Sequence, residues 1–185
     1  MQPLFAPLRQ KAPQPGAFLL SRLRRSNCSA AFVAFALLLL PLGAAGLNDT
    51  NDVVRHVLDG DSIILSDQRQ VRMIGINAPE FGKDGRPDEP LAAAARNRLR
   101  ALVQGKTVKL QLETEERDHY GRWLAHLILA DGTNVEEVLL KEGLVAAIAV
   151  PPNVAQVQRH QAAETQARKA RRGLWADAYF QPVPA

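Results

Sequence analysis

Between Val53 and Ile76 three short apolar runs follow one another almost without interruption: VVRHVL, DSIIL and QVRMIGI, separated only by DGD and SDQRQ. Asp, Gly, Ser and Gln at such short connections reverse a chain, so the pattern predicts three strands in a meander. A polar loop, PEFGKDGRPDEP, leads to LAAAARNRLRALVQG, where Leu91, Ala95, Leu99 and Leu102 recur at helical spacing and Gly105 stops the run. KTVKLQLE alternates as a strand should, with Val108, Leu110 and Leu112 on one face, and RWLAHLILADGTNV reads as a further strand ending in an Asp-Gly turn. VEEVLLKEG is a short helix, and LVAAIAV is short, apolar and partly β-branched. After PPN breaks the chain, a helix is expected from Asn153 as its cap to Gly173, followed by LWADAYF as an apolar plug with Trp175 as its core anchor.

Three strands, a helix, two strands and two helices define an α+β chain that is mainly β. The order is that of a five-stranded OB-fold barrel with a helix between strands 3 and 4 and C-terminal helices, an architecture that commonly binds oligonucleotides or oligosaccharides on one face. Fold alone does not set function. At 185 residues one such domain plus appendages is expected.

The formal charge of +4 suggests a basic nucleic-acid binder, but its distribution does not. Of the 23 basic residues, five lie in the first 46 positions, where there is no acid. That leaves 18 bases against 19 acids, so the remainder is close to neutral. Nucleic-acid binding would have to rest on a local site.

Residues 1–46 read as an export signal or an N-terminal membrane anchor with a Pro-rich start. After SRLRR comes SNCSAAFVAFALLLLPLGAAGL, uncharged, Leu-rich at its centre and ending in Pro41 and small residues, with Gly43 and Ala45 before a plausible cut. The stretch from Ser26 to Asn48 is also long enough to span a bilayer uncleaved. Either way the remainder is expected outside the cytoplasm, secreted or periplasmic, with 47–52 as a linker, 53–177 as the domain and 178–185 as a tail. The only cysteine, Cys28, lies in the leader, so the exported part folds without disulfides.

Three clusters could carry chemistry. Arg72 sits in an apolar strand and needs an anionic partner, either Asp59 or Asp61 as an internal salt bridge or a phosphate gripped by its planar fork. DGDS (59–62) and NAPE (77–80) supply Asp61, Asn77 and Glu80; Asp61, the Asn77 carboxamide and backbone carbonyls are hard oxygens that suit Ca²⁺, while Pro79 stiffens the exit that carries Glu80. RDHYGRW (117–123) adds Arg122, with Tyr120 able to stack or donate. The four histidines show no metal-ligand spacing, and the bases of RKARR (168–172) are explained by a helix dipole.

LDGDSIIL, VRMIGINAPE and DHYGRWLAHLI, in this order and with a helix between the second and third, resemble the staphylococcal nuclease family over about Val53–Trp175. The resemblance implies a monomeric, Ca²⁺-dependent phosphodiesterase acting on DNA and RNA. It implies Asp61, Asn77 and the Ala78 carbonyl at the metal, Glu80 as the group that orients or deprotonates water, Arg72 and Arg122 at the phosphate, and His119 and Tyr120 in a nucleotide-contacting loop. The chain departs from the family pattern twice. Asn77 stands where an aspartate is usual, removing one formal charge from the metal site, and Ala149 and Pro151 stand where tyrosines usually pack on the nucleotide. The first should weaken Ca²⁺ binding or shift the preferred ion, and the second bears on substrate affinity more than on chemistry, leaving room for weakened or lost activity. The reading is an exported metal-dependent nuclease, and the alternative is a non-catalytic OB module of the envelope that binds nucleic acid or a protein partner.

Overall fold

A computed structural model describes residues 50–181. The leader therefore lies outside the described residues, as does the end of the tail. Among the described residues no helix is long and apolar enough to cross a membrane.

Five strands close into a barrel in the order β1–β2–β3–β6–β5, with β5 returning to β1. They are β1 (Thr50–Val57), β2 (Ser62–Leu65), β3 (Gln70–Met73), β5 (Thr107–Arg117) and β6 (Trp123–Ile128). The first three form the expected meander, and β3 then meets β6 in parallel, with Arg72 opposite Leu124. A barrel needs this closure because a five-stranded open sheet would leave two unpaired edges. Thr50, Asn51 and Asp52 pair with Leu110, Lys109 and Val108, so β1 starts inside the stretch that the sequence suggested as linker.

Alternation fills the barrel. Ile63, Leu65, Val71, Met73, Val108, Leu110, Ala125 and Leu127 are buried, and each large aliphatic among them contributes roughly 1.5–3 kcal/mol relative to exposure. Helix α1 (Ala92–Val103) covers one end, burying Ala92, Ala95, Leu99 and Val103. Its approach depends on Gly60, where a Cβ would lie 2.5 Å from the Ala78 Cβ and 2.7 Å from the Ala95 Cβ. The DGDS turn, the end of NAPE and α1 are thus packed against one another at a point that tolerates only glycine.

Two expectations need correction. QVRMIGI is not one strand: the chain turns at Ile74–Gly75, with Gly75 at φ +76°, and β4 (Ile76–Asn77) leaves the barrel to pair with β7 (Ala146–Ala147). The break places Asn77 in a strand outside the barrel that carries Arg72. Asn153 does not cap the last helix either, since α3 begins at Val157 and ends at Lys169. The Asn153 amide instead accepts the Glu115 N–H at 2.9 Å and donates to the Glu115 carbonyl at 2.7 Å, so the side chain extends the ladder of β5.

Helix α2 (Val135–Glu142) starts at Asn134, whose side chain accepts the Glu137 N–H at 2.8 Å, and ends at Gly143. A Cβ on Gly143 would sit 2.3 Å from the Arg172 carbonyl oxygen, and the Leu174 N–H donates to the Gly143 carbonyl, so the C-terminal segment docks at this turn. In that segment Leu174 is the buried anchor. Trp175 is only partly buried, beneath the Arg168 guanidinium 3.5 Å from its ring.

Candidate active site

Arg72 projects from β3 beside the DGDS turn that β2 follows. Its Nη1 lies 2.9 Å from Asp61 Oδ2 and donates to the Met73 carbonyl at 3.1 Å, while Nη2 donates to Asn77 Oδ1 at 3.1 Å. The guanidinium does have an internal partner, and that partner is the carboxylate expected at the metal. Asp61 also accepts the Ala78 N–H at 2.7 Å and the Ser62 hydroxyl at 3.0 Å. Asp61, Arg72, Asn77 and Ala78 therefore form one bonded group.

Burial is the largest influence on Asp61, raising its pKa; the Arg72 charge opposes it, Asp59 adds to it, and the balance is a value pushed up to about 7. The groups that could face a cation are hard oxygens, Asp61, the Ala78 carbonyl and the Asn77 amide oxygen, with Asp61 and Asn77 bonded to Arg72. No set of three or more His, Cys, Asp or Glu side chains able to hold a metal ion gathers among the described residues. The oxygen donors of Asp61, Asn77 and Ala78 are of the kind that hard cations take.

A cleft of about 340 Å³ opens beside Arg72 and is lined by Arg122, His119, Asp118, Ile148 and Val150 among others. Asp118 organises the RDHYGR turn. Its carboxylate accepts the Tyr120 and Arg122 N–H groups and pairs with Arg122 Nε at 2.7 Å, and although burial works the other way these bonds hold it below the usual carboxylate range. Only Nε is engaged, so the two terminal nitrogens of Arg122 have no hydrogen-bond partner among the described residues. Tyr120 is 74 % exposed, packed on His119 at 3.7 Å and lying 5.5 Å from the Arg122 guanidinium. The opposite wall is aliphatic, formed by Ile148 and Val150, with Val150 58 % exposed.

Glu80 stands apart from this cleft. It is exposed, it lines a neighbouring cleft, and its side chain makes no hydrogen bond or ion pair among the described residues. Its backbone is fixed: the Glu80 N–H donates to Glu89 Oε2 at 2.9 Å and the Glu89 N–H donates to the Glu80 carbonyl at 2.9 Å. Glu89 and Asp118 thus position candidate groups without having been singled out for it in the sequence, and Asn153 lines the cleft while bonding the Glu115 backbone. Asp118 had a signal, the four-residue spacing to Arg122; Glu89 and Asn153 act across distances that no local pattern records.

A closed five-stranded barrel of this connectivity with three helices is an α+β OB-fold barrel. The family model for staphylococcal nuclease homologues matches residues 70–177. The thermonuclease of Staphylococcus hyicus is 34% identical over 143 residues, covering 74% of this chain and 84% of that protein, and the thermonuclease of Staphylococcus intermedius is 36% identical over 127 residues, covering 66% and 74%. An uncharacterized endonuclease of Escherichia coli O157:H7 is 35% identical over 139 residues, covering 74% and 82%. The chain belongs to the family of staphylococcal nuclease homologues.

Proposed function

We propose that the protein is an exported, divalent-metal-dependent nuclease that hydrolyses phosphodiester bonds of DNA or RNA. The observation that carries the reading is the pairing of Arg72 and Arg122 at one cleft with a buried Asp61 beside the first and unused terminal nitrogens on the second. Similarity to proteins named thermonuclease and endonuclease supports the reaction class. The leader supports export, and the Asp61 donor set supports a hard cation such as Ca²⁺.

Arg122 binds a phosphate through two parallel N–H groups, and Arg72, already fixed by Asp61 and Asn77, adds the second positive charge. Charge grows on the equatorial oxygens as the phosphodiester is attacked, so two cations oriented in advance stabilise the transition state more than the bound substrate. Glu80, an exposed carboxylate on a clamped backbone, accepts the proton of the attacking water. Asp61, the Ala78 carbonyl and Asn77 would hold the ion, whose contribution is to neutralise phosphoryl charge. His119 and Tyr120 flank the nucleotide, and Ile148 and Val150 line the cleft beside Ala149 and Pro151, which stand at the family's tyrosine positions.

The test is digestion of single-stranded and duplex DNA and of RNA by the purified protein across a calcium series and with chelator, beside Glu80→Gln. The expected result is ion-dependent cleavage that falls by about 10²–10⁴-fold in the variant with an unchanged melting temperature. Binding without cleavage would overturn the reaction and leave a non-catalytic phosphate cradle. N-terminal sequencing of the protein from a periplasmic or culture-medium fraction tests export, and intact Met1 in the cytosol would refute it.

A further inference from the structure

Lys83 and Arg86 are the first and last residues of a tight turn. Its central residues, Asp84 and Gly85, have φ of +55° and +79°, the double positive value of a type I′ turn, and the Arg86 N–H donates to the Lys83 carbonyl at 3.1 Å. The first and last residues of such a turn face each other, roughly 5.5 Å apart at Cα, so the loop sets two cations side by side. Opposed like charges are unfavourable. Neither has an ion-pair partner among the described residues, whereas Arg69, Arg72, Arg98 and Arg122 are each paired with a carboxylate.

The base of the turn is rigid. The Gly82 N–H donates to Asp88 Oδ1 at 2.9 Å, and a Cβ on Gly82 would fall 1.9 Å from the Arg86 carbonyl oxygen, so the loop closes where no side chain fits. The carboxylates of Asp88 and Glu89 are occupied by backbone N–H groups at Gly82 and Glu80.

The turn borders a cleft of about 470 Å³ that begins at Glu80 and is lined also by Phe81, Glu89 and Tyr179. Tyr179 comes from the C-terminal turn Ala178–Phe180, which Asp177 caps by accepting the Tyr179 N–H at 2.9 Å. Its hydroxyl reaches Glu89 Oε1 at 3.4 Å and its ring remains 59 % exposed. The cleft thus sets two cations without an ion-pair partner and an exposed aromatic ring beside the Glu80 and Glu89 carboxylates, with Arg86 Nε donating to the Lys83 carbonyl at 3.3 Å. Such cations and such a ring are the elements that hold a phosphate and its neighbouring base.

We propose that this cleft is a second nucleic-acid subsite, in which Lys83 and Arg86 take a backbone phosphate of a single-stranded polynucleotide and Tyr179 stacks on the adjoining base. A strand held at Arg72 and Arg122 would then continue past Glu80 into it. The proposal rests on the nuclease reading, and its consequence is that long single strands bind better than short ones.

The experiment compares binding of fluorescently labelled oligothymidylates of two and twelve nucleotides to the full chain carrying Glu80→Gln, alone and with Lys83→Ala/Arg86→Ala or Tyr179→Ala, over a range of salt. The double variant is expected to weaken the twelve-mer about tenfold or more, to reduce its salt slope by about 0.7, and to leave the dinucleotide unchanged. Tyr179→Ala is expected to weaken the twelve-mer by roughly 5- to 100-fold, and Tyr179→Trp to retain it. An unchanged salt slope, or equal losses for both lengths, overturns the subsite. Cleavage assays on the chain with its native Glu80 separate the two readings. Cutting with an unchanged slope removes the subsite alone, a reduced slope without cutting leaves the subsite and removes the nuclease, and absence of both removes both.

Discussion

The protein holds ionised groups together in two places, and the two are built differently. At the arginine cleft, Arg72 and Arg122 are partly exposed, paired with Asp61 and Asp118 on their own side and open to solvent on the other. Beneath α2 and α3, Glu113, His126, Glu136 and His160 are buried. His126 Nε2 lies 2.7 Å from Glu113 Oε1 and its Nδ1 lies 3.7 Å from Glu136 Oε1, Glu136 accepts the Leu127 N–H at 3.0 Å, and His160 meets His126 edge-on at 5.4 Å. Glu113 Oε2 also accepts the Ala155 N–H at 3.0 Å, tying β5 to the segment before α3. Charges at the cleft can exchange partners with a substrate. Those in the interior can only exchange them by unfolding.

The contrast predicts that interior variants cost stability and cleft variants cost activity. The largest effect belongs to Glu136→Ala, which strands the Leu127 N–H and removes a carboxylate facing His126. Removing one partner of a buried charged group costs about 3–5 kcal/mol, to be read as a drop in unfolding free energy in urea. The folded fraction is expected to keep its cleavage rate per molecule, and a rate loss beyond the folded fraction would erase the distinction between the two regions.

Arg122→Lys is the converse. Asp118 can still pair with the ammonium, but the planar two-point grip on phosphate is lost, and a loss of about 10²–10³-fold in kcat is expected with a change under about 1 kcal/mol in stability. A large fall in unfolding free energy would make Arg122 a structural residue. A smaller effect sharpens the metal half of the cleft. Asn77→Asp restores a formal charge beside Asp61, and calorimetric titration should show calcium bound about tenfold more tightly. Unchanged affinity would mean that the amide serves Arg72 alone.

The sequence was most legible where interactions are local and least where they are not. The meander, α1 with Leu99 inward, and the Arg72 need for an acidic partner were all readable from periodicity and burial. The order of strands and helices pointed to the barrel that the structure shows. The break at Gly75 was hidden because Ile74 and Ile76 continue the apolar run on either side. Asn153 looked like a cap because capping chemistry is local, yet its amide found the Glu115 backbone, distant in sequence. The interior cluster was invisible for the same reason. His126 and His160 lie on β6 and α3 with no mutual spacing, and they meet only once α3 packs on α2.

That cluster also carries the subtlest prediction, because its two histidines titrate in opposite senses. Burial alone would lower the His126 pKa, but Glu136 and Glu113 outweigh it and hold it above the usual 6.5. His160 is lowered, by burial first; the Glu136 carboxylate opposes this and the His126 charge adds to it. A raised folded pKa means that the His126 contribution is complete below pH 6.5 and is lost as pH rises through the higher folded value. A lowered folded pKa means that the His160 contribution is complete above pH 6.5 and is lost as pH falls through the lower one. Melting temperature followed from pH 5 to 9 carries these two histidine contributions on top of that of Asp61, whose raised pKa makes stability fall as pH rises toward about 7, so each histidine is read as the difference between its variant and the unaltered chain. His126→Gln should flatten the alkaline side and His160→Leu the acid side, each relative to the unaltered chain. If either variant flattens the other's side, the two rings share one proton economy and the interior would have to be treated as a single titrating unit.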